Sequence, residues 1–172
     1  MKSLLIGCGN SRERKVRHDE RAEWMGDLVT LDMDPNCGAD HVIDMSWQHV
    51  HMPFADGEFI ELAAYDSLEH WGVQGNWRGW FNEMAEYHRI LKPGGVFGIL
   101  VPVGADALAD PGHTRFFAEN HFNMLNQQWY ADRLAAGMPV TDYRWFWKLN
   151  FDVEYMQRHG GHHLAVILRK SA

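Results

Sequence analysis

The chain has 172 residues, enough for one domain with a core of its own, and 46% of them are hydrophobic. Its formal net charge of −7 is opposite to that of a surface that neutralises phosphates, so we expect no stable nucleic-acid partner. No apolar run approaches the roughly 20 residues that span a bilayer, and two cysteines make no disulfide framework. We therefore expect a cytoplasmic protein without a membrane partner.

A glycine turn follows the first predicted strand, at residues 3–7. The turn contains Gly7, Cys8 and Gly9, and it lets the backbone approach a polar or anionic ligand because glycine has no side chain. We predict that a helix follows, with the basic run 12–17 in its first turns. That run is either a solvated helix face or a contact for a ligand phosphate or carboxylate.

The second predicted strand, at residues 28–32, ends in an acid. This residue, Asp32, lies 23 residues beyond Gly9, close to the spacing of about 20 residues between a glycine turn and a ribose-binding acid. The two features together predict a nucleoside site.

The rest of the chain alternates between apolar runs and helical patterns, which favours parallel strands joined by crossover helices. Further strands are predicted at 41–44, 59–65 and 95–101, and helices at 76–91 and 118–136. Two β-rich runs, 151–157 and 163–169, flank a short glycine-bearing turn, which predicts an antiparallel hairpin. The predicted fold is a single α/β domain over residues 1–172. It has a Rossmann-like, mostly parallel sheet with helices on both faces and a C-terminal antiparallel hairpin.

Four stretches, in this order, resemble the class I S-adenosylmethionine-dependent methyltransferases of the small-molecule type. They are the glycine turn at 4–9, the acid-terminated strand at 29–35, the stretch from 42 to 71, and the stretch from 83 to 102. Together they cover roughly the first 105 residues, and the terminal hairpin is similar to the family's last two strands. The resemblance implies methyl transfer from S-adenosylmethionine, as cofactor, to a small-molecule acceptor.

The resemblance also implies which residues bind the cofactor. Gly7 and Gly9 would pass under its methionine part, with Cys8 between them. Asp32 would accept hydrogen bonds from both ribose hydroxyls, a bidentate and charge-assisted contact. The alternative is that residues 32–35 form only a turn.

Four further residues complete the implied cofactor set. Asp44 would receive the exocyclic amine of adenine, and Met33 and Met45 would flank the ring, since thioethers adapt to a flat surface. Tyr65, at the end of the fourth strand, is the last member. For Met33 the alternative is a core position.

Candidates for the acceptor side lie in the loops after the fourth and fifth strands, where open α/β sheets bind ligands. They are Tyr65, Asp66, His70, His113 and Arg115. We predict that His70 and His113 are the catalytic residues. The alternative is that the loop only starts a helix there and that His113 is incidental.

The sequence departs from the family pattern at Leu5, where an acid is usual, and at Ser11, which replaces a third glycine. It also resembles a short form that lacks the family's N-terminal helix. An open cleft with weak cofactor affinity would follow, or coverage by another chain, as in a homodimer. These departures keep open a non-catalytic domain that binds the cofactor or a partner. A nicotinamide-dependent oxidoreductase shares the glycine spacing, but Asp44 and the antiparallel tail fit it less well.

Eleven histidines raise the question of a metal site. The close sets are His49 with His51, and His159 with His162 and His163. Neither set has a cysteine or carboxylate at a recognised ligand spacing, so we predict no metal. Eight tryptophans are many for this length, and we expect about half of them in the core.

Overall fold

The computed structural model describes residues 1–45 and 51–171. The strands formed by these residues are β1 (Lys2–Ile6), β2 (Asp27–Asp32), β3 (His41–Val42), β4 (Phe59–Tyr65), β5 (Leu91–Pro102), β6 (Phe151–His159) and β7 (His163–Lys170). The α-helices formed by these residues are α1 (Trp77–Ile90), α2 (Glu119–Asn123) and α3 (Gln127–Ala135). No helix in this part of the chain is both long and apolar enough to traverse a bilayer.

All seven strands join one sheet, in the order β3-β2-β1-β4-β5-β7-β6. The pairs from β3 to β5 are parallel, whereas β7 pairs antiparallel with both β5 and β6. The Rossmann-like, mostly parallel sheet with a C-terminal antiparallel hairpin is therefore confirmed. The strand order reverses between β1 and β4, and ligands of open α/β sheets bind in the crevice at the carboxyl ends of strands at such a point.

Helix α1 carries the crossover from β4 to β5 and forms the main core against the sheet. Its N-terminus is capped by Asn76, whose side chain accepts a hydrogen bond of 3.0 Å from the Gly79 amide. The apolar stripe recurs at helical spacing and is buried in the main core cluster, at Trp80, Phe81, Met84, Tyr87 and Ile90. The crossover thereby fixes the loops that precede α1 at the carboxyl edge of the sheet.

The other face of the sheet is covered by irregular chain. The predicted helix after the glycine turn is wrong, since residues 11–26 contain no helix. This stretch is rich in charge and lacks an apolar stripe that a helix could lay against the sheet. Instead Val16 joins the second core cluster, and the buried Arg14 donates to the buried Glu61 of β4 across 2.6 Å. A buried ion pair thus fastens the segment.

The single helix predicted at 118–136 is also wrong, because it forms as two helices, α2 and α3. Asn126 lies between them, and its side chain accepts a hydrogen bond of 2.8 Å from the Trp129 amide. This contact caps α3 and starts a new helix. Strand β3 is shorter than the predicted 41–44, and β5 begins earlier than the predicted 95 because Leu91 already pairs with Phe59.

Candidate functional site

The glycine turn adopts the backbone geometry that its residues suggested. Gly7 and Gly9 have φ angles of 64° and 47°, in the left-handed region that favours glycine. A Cβ atom on Gly7 would lie 2.3 Å from the Cβ of Ser67, so β1 and the loop after β4 approach each other closely here. The Gly7 amide donates to the Leu31 carbonyl across 2.8 Å, which binds the turn to β2.

Asp32 lies at the carboxyl end of β2 and faces the glycine turn. Its Oδ2 accepts a hydrogen bond of 2.7 Å from the Gly9 amide, and its Oδ1 accepts one of 2.9 Å from the Asp34 amide. The structure therefore brings together the two features that the spacing paired. Each carboxylate oxygen can accept a second hydrogen bond, so a diol can still bind this group.

Cys8 belongs to the same site. Its Sγ, the Sγ of Cys37 and a carboxylate oxygen of Asp32 all lie within 4.8 Å of one another. Burial raises the pKa of the Cys8 thiol to about 11, so it stays protonated at neutral pH and is a poor nucleophile. The Arg12 guanidinium donates to the carbonyls of Gly9 and Cys37 across 2.9 and 3.3 Å, tying the glycine turn to the loop after β2.

The four remaining residues of the implied cofactor set differ in how exposed their side chains are. Met33 is 51% exposed beside Asp32, so it is not a core residue. Met45 is buried in the main core cluster, and Asp44, next to it, is exposed. Tyr65 is buried in the second core cluster, where its hydroxyl donates to the Val16 carbonyl across 3.2 Å. Burial raises the pKa of Tyr65 to about 12.

The acceptor-side loops bring His70 and His113 together with a third residue, Glu69. The two imidazole centroids are 4.7 Å apart, and Oε1 of Glu69 lies 3.9 Å from Nε2 of His113. Burial, reinforced by the nearby Asp66 and Asp110, raises the pKa of Glu69 to about 8. Oε2 of Glu69 is buried without a hydrogen-bond partner among the described residues. Sequence reasoning missed Glu69, although an acid–histidine pair directly after a central strand was the signal.

Backbone hydrogen bonds hold this cluster in place. The Thr114 and Arg115 amides both donate to the Glu69 carbonyl, across 2.9 and 3.1 Å. Because β4 and β5 are adjacent, the loops that follow them meet at the same edge of the sheet. The cluster is thus fixed by main-chain contacts as well as by its side chains.

The two remaining acceptor-side candidates have internal partners. Arg115 is buried and donates to the buried Glu83 of α1 across 2.8 Å. Asp66 has a φ of 52° and lies 3.1 Å from His163 and 3.3 Å from Lys15. Both residues therefore stabilise the loops around the cluster.

A cleft with a volume of about 220 Å³ opens beside the N-terminus of α1. Its lining includes the aromatic residues Trp77, Trp80, Phe81 and Tyr143, with Arg115 among its polar members. The lining residues 73–76 and Arg115 follow the Glu69 cluster in the chain, and the Gln74 amide donates to the Thr114 carbonyl across 2.9 Å. It is smaller than the clefts of about 300–1,000 Å³ that enclose drug-sized ligands, so it suits a small or partly enclosed molecule.

The histidine sets noted in the sequence are dispersed. His49 lies outside the described residues, and His51 is exposed at 3.3 Å from Glu86. His162, in the turn between β6 and β7, faces Asp106 across 2.9 Å, whereas His163 faces Asp66. Among the tryptophans, the buried ones include Trp71, Trp80 and Trp147, while Trp145 is 62% exposed.

No protein-family model and no curated protein sequence matches the chain. Solved structures do match over 99% of it. One is the Burkholderia thailandensis 1,6-didemethyltoxoflavin-N1-methyltransferase, crystallised with 1,6-didemethyltoxoflavin and S-adenosylhomocysteine, at 16% identity, a TM-score of 0.55 and 71% coverage of that chain.

Two further structures are as similar. An S-adenosylmethionine-dependent methyltransferase from Methanosarcina mazei matches at 12% identity, a TM-score of 0.54, 99% coverage of this chain and 92% of that chain. A complex of the Haloferax volcanii Trm112 methyltransferase activator with a methyltransferase matches at 12% identity and a TM-score of 0.59, over 99% of this chain and 83% of that one. The strand order, the site at the carboxyl edge and these similarities agree, and the chain has the fold of the class I S-adenosylmethionine-dependent methyltransferases.

Proposed function

We propose that the protein binds S-adenosylmethionine and transfers its methyl group to a small molecule. The observation that carries this proposal is the position of Asp32, whose carboxylate faces the glycine turn 2.7 Å from the Gly9 amide. A carboxylate beside a glycine turn at the strand-order reversal offers what a nucleoside needs: acceptors for two ribose hydroxyls and open backbone for the chain that follows the sugar.

In this proposal the sulfonium end of the donor lies over Gly7, Cys8 and Gly9. The exposed thioether of Met33 covers one face of adenine, and the exposed Asp44 accepts from its amine. Met45, which is buried, supports that wall from the core. The hydroxyl of Tyr65 already has a backbone partner, so we propose that Tyr65 shapes the site by packing against its floor.

The acceptor would occupy the cleft beside α1, with His70 and His113, in the loops that lead to it, as the catalytic candidates. Methyl transfer from a sulfonium needs alignment of nucleophile, methyl group and sulfur, and a base only for an acceptor that holds its proton. A small, aromatic cleft supports a small-molecule acceptor. The small-molecule complex of the Burkholderia enzyme is in keeping with this class of acceptor.

Calorimetry tests the proposal with S-adenosylmethionine, S-adenosylhomocysteine and NAD. We expect both sulfur compounds to bind and NAD not to bind. Asp32→Ala should weaken donor binding by about 1.5–3 kcal/mol, the contribution of hydrogen bonds to a charged group. The matched control is Asp27→Ala, an exposed acid at the opposite end of the same strand, which should leave the affinity unchanged. Unchanged affinity in Asp32→Ala, or binding of NAD alone, would refute the proposal.

A non-catalytic domain that keeps the fold is the second candidate. One observation favours it: Leu5, where the family usually has an acid, is buried in the second core cluster and offers no polar group to the donor. Donor binding without turnover of any of a broad panel of acceptors would identify this function. A cytoplasmic location, the absence of a nucleic-acid partner and a homodimer stay predictions.

A further inference from the structure

We propose that Glu69, His70 and His113 form a binding site for a first-row transition-metal dication. Each of the three offers one ligand atom, and these atoms all lie within 4.8 Å of one another. Two imidazoles and one carboxylate are a ligand set that zinc, cobalt and non-haem iron(II) accept. The site goes beyond the proposed methyl transfer, because it concerns metal binding by this chain whatever its donor or acceptor.

The hydrogen bonds of both rings involve Nδ1, and Nε2 of His113 is the nitrogen that faces Glu69. Nδ1 of His113 lies 2.9 Å from the Ala107 carbonyl, and Nδ1 of His70 lies 3.2 Å from the Gly112 carbonyl. A carbonyl oxygen only accepts hydrogen bonds, so each Nδ1 is the donor, and Nε2 is the nitrogen left to bind a metal in the neutral ring. Metal-binding histidines are oriented in the same way, by a backbone carbonyl or a carboxylate on the second nitrogen.

One oxygen of the carboxyl group lacks the partner that a buried acid requires. Glu69 is 1% exposed, and among residues 1–45 and 51–171 its Oε2 has no hydrogen-bond partner and no lysine or arginine forms an ion pair with it. Leaving such a group unpaired is costly. The acids Asp66 and Asp110 lie nearby and make the local potential negative. A dication would offset this potential and bind the unpaired oxygen.

The separations are close to those of a metal site. Oε1 of Glu69 and Nε2 of His113 are 3.9 Å apart, which is too long for a hydrogen bond. Two ligands of a tetrahedral zinc ion lie about 3.4 Å apart, so this pair closes only slightly around an ion. His70 and His113 are partly exposed and give access from solvent. Three protein ligands leave at least one position open for water or for an oxygen atom of a bound molecule.

The test is titration of the chelator-treated full chain with Co²⁺ alone, followed by the visible absorption of the ion and by calorimetry. We expect one ion per chain in a site of low coordination number. Glu69→Gln, His70→Ala and His113→Ala should each weaken binding by more than about 100-fold, since even indirect supports of metal ligands contribute 10- to 100-fold. His162→Ala is the matched control, because this exposed histidine also faces a carboxylate, and it should leave the affinity within about twofold.

Thermal unfolding of each variant keeps the result interpretable. His70 has the more exposed of the two rings, so His70→Ala should disturb the fold least. It therefore still tests the site if Glu69→Gln or His113→Ala unfolds. Absence of binding by the folded wild-type chain would overturn the site. So would equal binding by His70→Ala and wild type, or loss of binding in His162→Ala. Because the titration contains no methyl donor and donor binding is measured with chelator present, failure of the metal site and failure of the proposed function are distinguishable.

Discussion

Removing one partner of the ion pair between Arg14 and Glu61 should lower the free energy of unfolding strongly, because both charges are buried. This pair fastens the irregular segment that covers the second face of the sheet. Nε of Arg14 lies 2.6 Å from Oε1 of Glu61, and the two residues are 4% and 3% exposed. Oε2 of Glu61 accepts from the Ser3 hydroxyl at 3.0 Å and from the Met25 amide at 2.9 Å. Glu61→Gln keeps the shape but removes the buried charge partner of the guanidinium, whose remaining acidic partner among the described residues is Asp19, 24% exposed, at 3.0 Å. Breaking a buried pair in this way costs about 3–5 kcal/mol.

Urea unfolding of the wild type and Glu61→Gln measures this loss directly. At about 2–4 °C per kcal/mol for a chain of this size, the melting temperature should fall by roughly 6–20 °C. Glu58→Gln is the matched control: Glu58 pairs with Lys2 through side chains that are 23% and 50% exposed, so its loss should be below about 1 kcal/mol. Arg14→Met should cost less in the Glu61→Gln background than in the wild type, since the charge that it removes has then already lost its buried partner. Equal, small effects of Glu61→Gln and Glu58→Gln would refute this account of the irregular segment.

Two further predictions concern stability at other places. In the same urea assay, Gly7→Ala should lower the free energy of unfolding by roughly 2–4 kcal/mol, because the position has a positive φ and the new Cβ would clash with Ser67. Gly9→Ala should lower it by only about 1 kcal/mol, because its Cβ would have open space around it. Recovery of most of the difference by Ser67→Gly in the Gly7→Ala background is expected, and no recovery would contradict the clash. Burial, together with Lys170, lowers the pKa of His88 from 6.5 to about 4, so below pH 6.5 the unfolded chain takes up a proton that the folded chain does not. The free energy of unfolding should therefore fall by on the order of 2–3 kcal/mol as pH drops from 6.5 towards 4. In His88→Gln this fall, measured by urea unfolding at each pH, should be smaller by the same amount. An identical pH dependence of the variant and the wild type would exclude this role of His88.

The sheet could be predicted from the sequence because its signals are local. Strand β4 has the same bounds as its apolar run, and the glycine-bearing turn between β6 and β7 specifies a hairpin. The parallel pairing of the earlier strands followed from the alternation of apolar runs with helical patterns. These features depend on residues close in sequence.

The covering of the second face could not be predicted in the same way. Arg14 stands in a charge run that is typical of a solvated helix, and its partner is 47 residues away. The signal in the sequence lies in the strand and not in the charge run: Glu61 interrupts an otherwise apolar strand, and a buried carboxylate needs a cation or several hydrogen-bond donors as partners. Whether a distant residue supplies them is a property of the tertiary structure.

The candidate site also combines features that the sequence could predict with features that it could not. The spacing between Gly9 and Asp32 predicted that both belong to one site, and the structure places them in contact at the ends of two adjacent parallel strands. The meeting of His70 with His113 depends on two loops that are joined by α1 and β5, and the burial of the Glu69 carboxyl group depends on how those loops pack. Predicting the residue types was feasible, whereas predicting which acid would be left unpaired required the packed structure.

A crystal structure of the chain with S-adenosylhomocysteine tests the central claim most directly. The account predicts ligand density at the carboxyl ends of β1 and β2, with both ribose hydroxyls within hydrogen-bond distance of Asp32 and the thioether sulfur above Gly7. Density elsewhere on the molecule, or a ribose held by other groups while Asp32 contacts only the Gly9 and Asp34 amides, would contradict it.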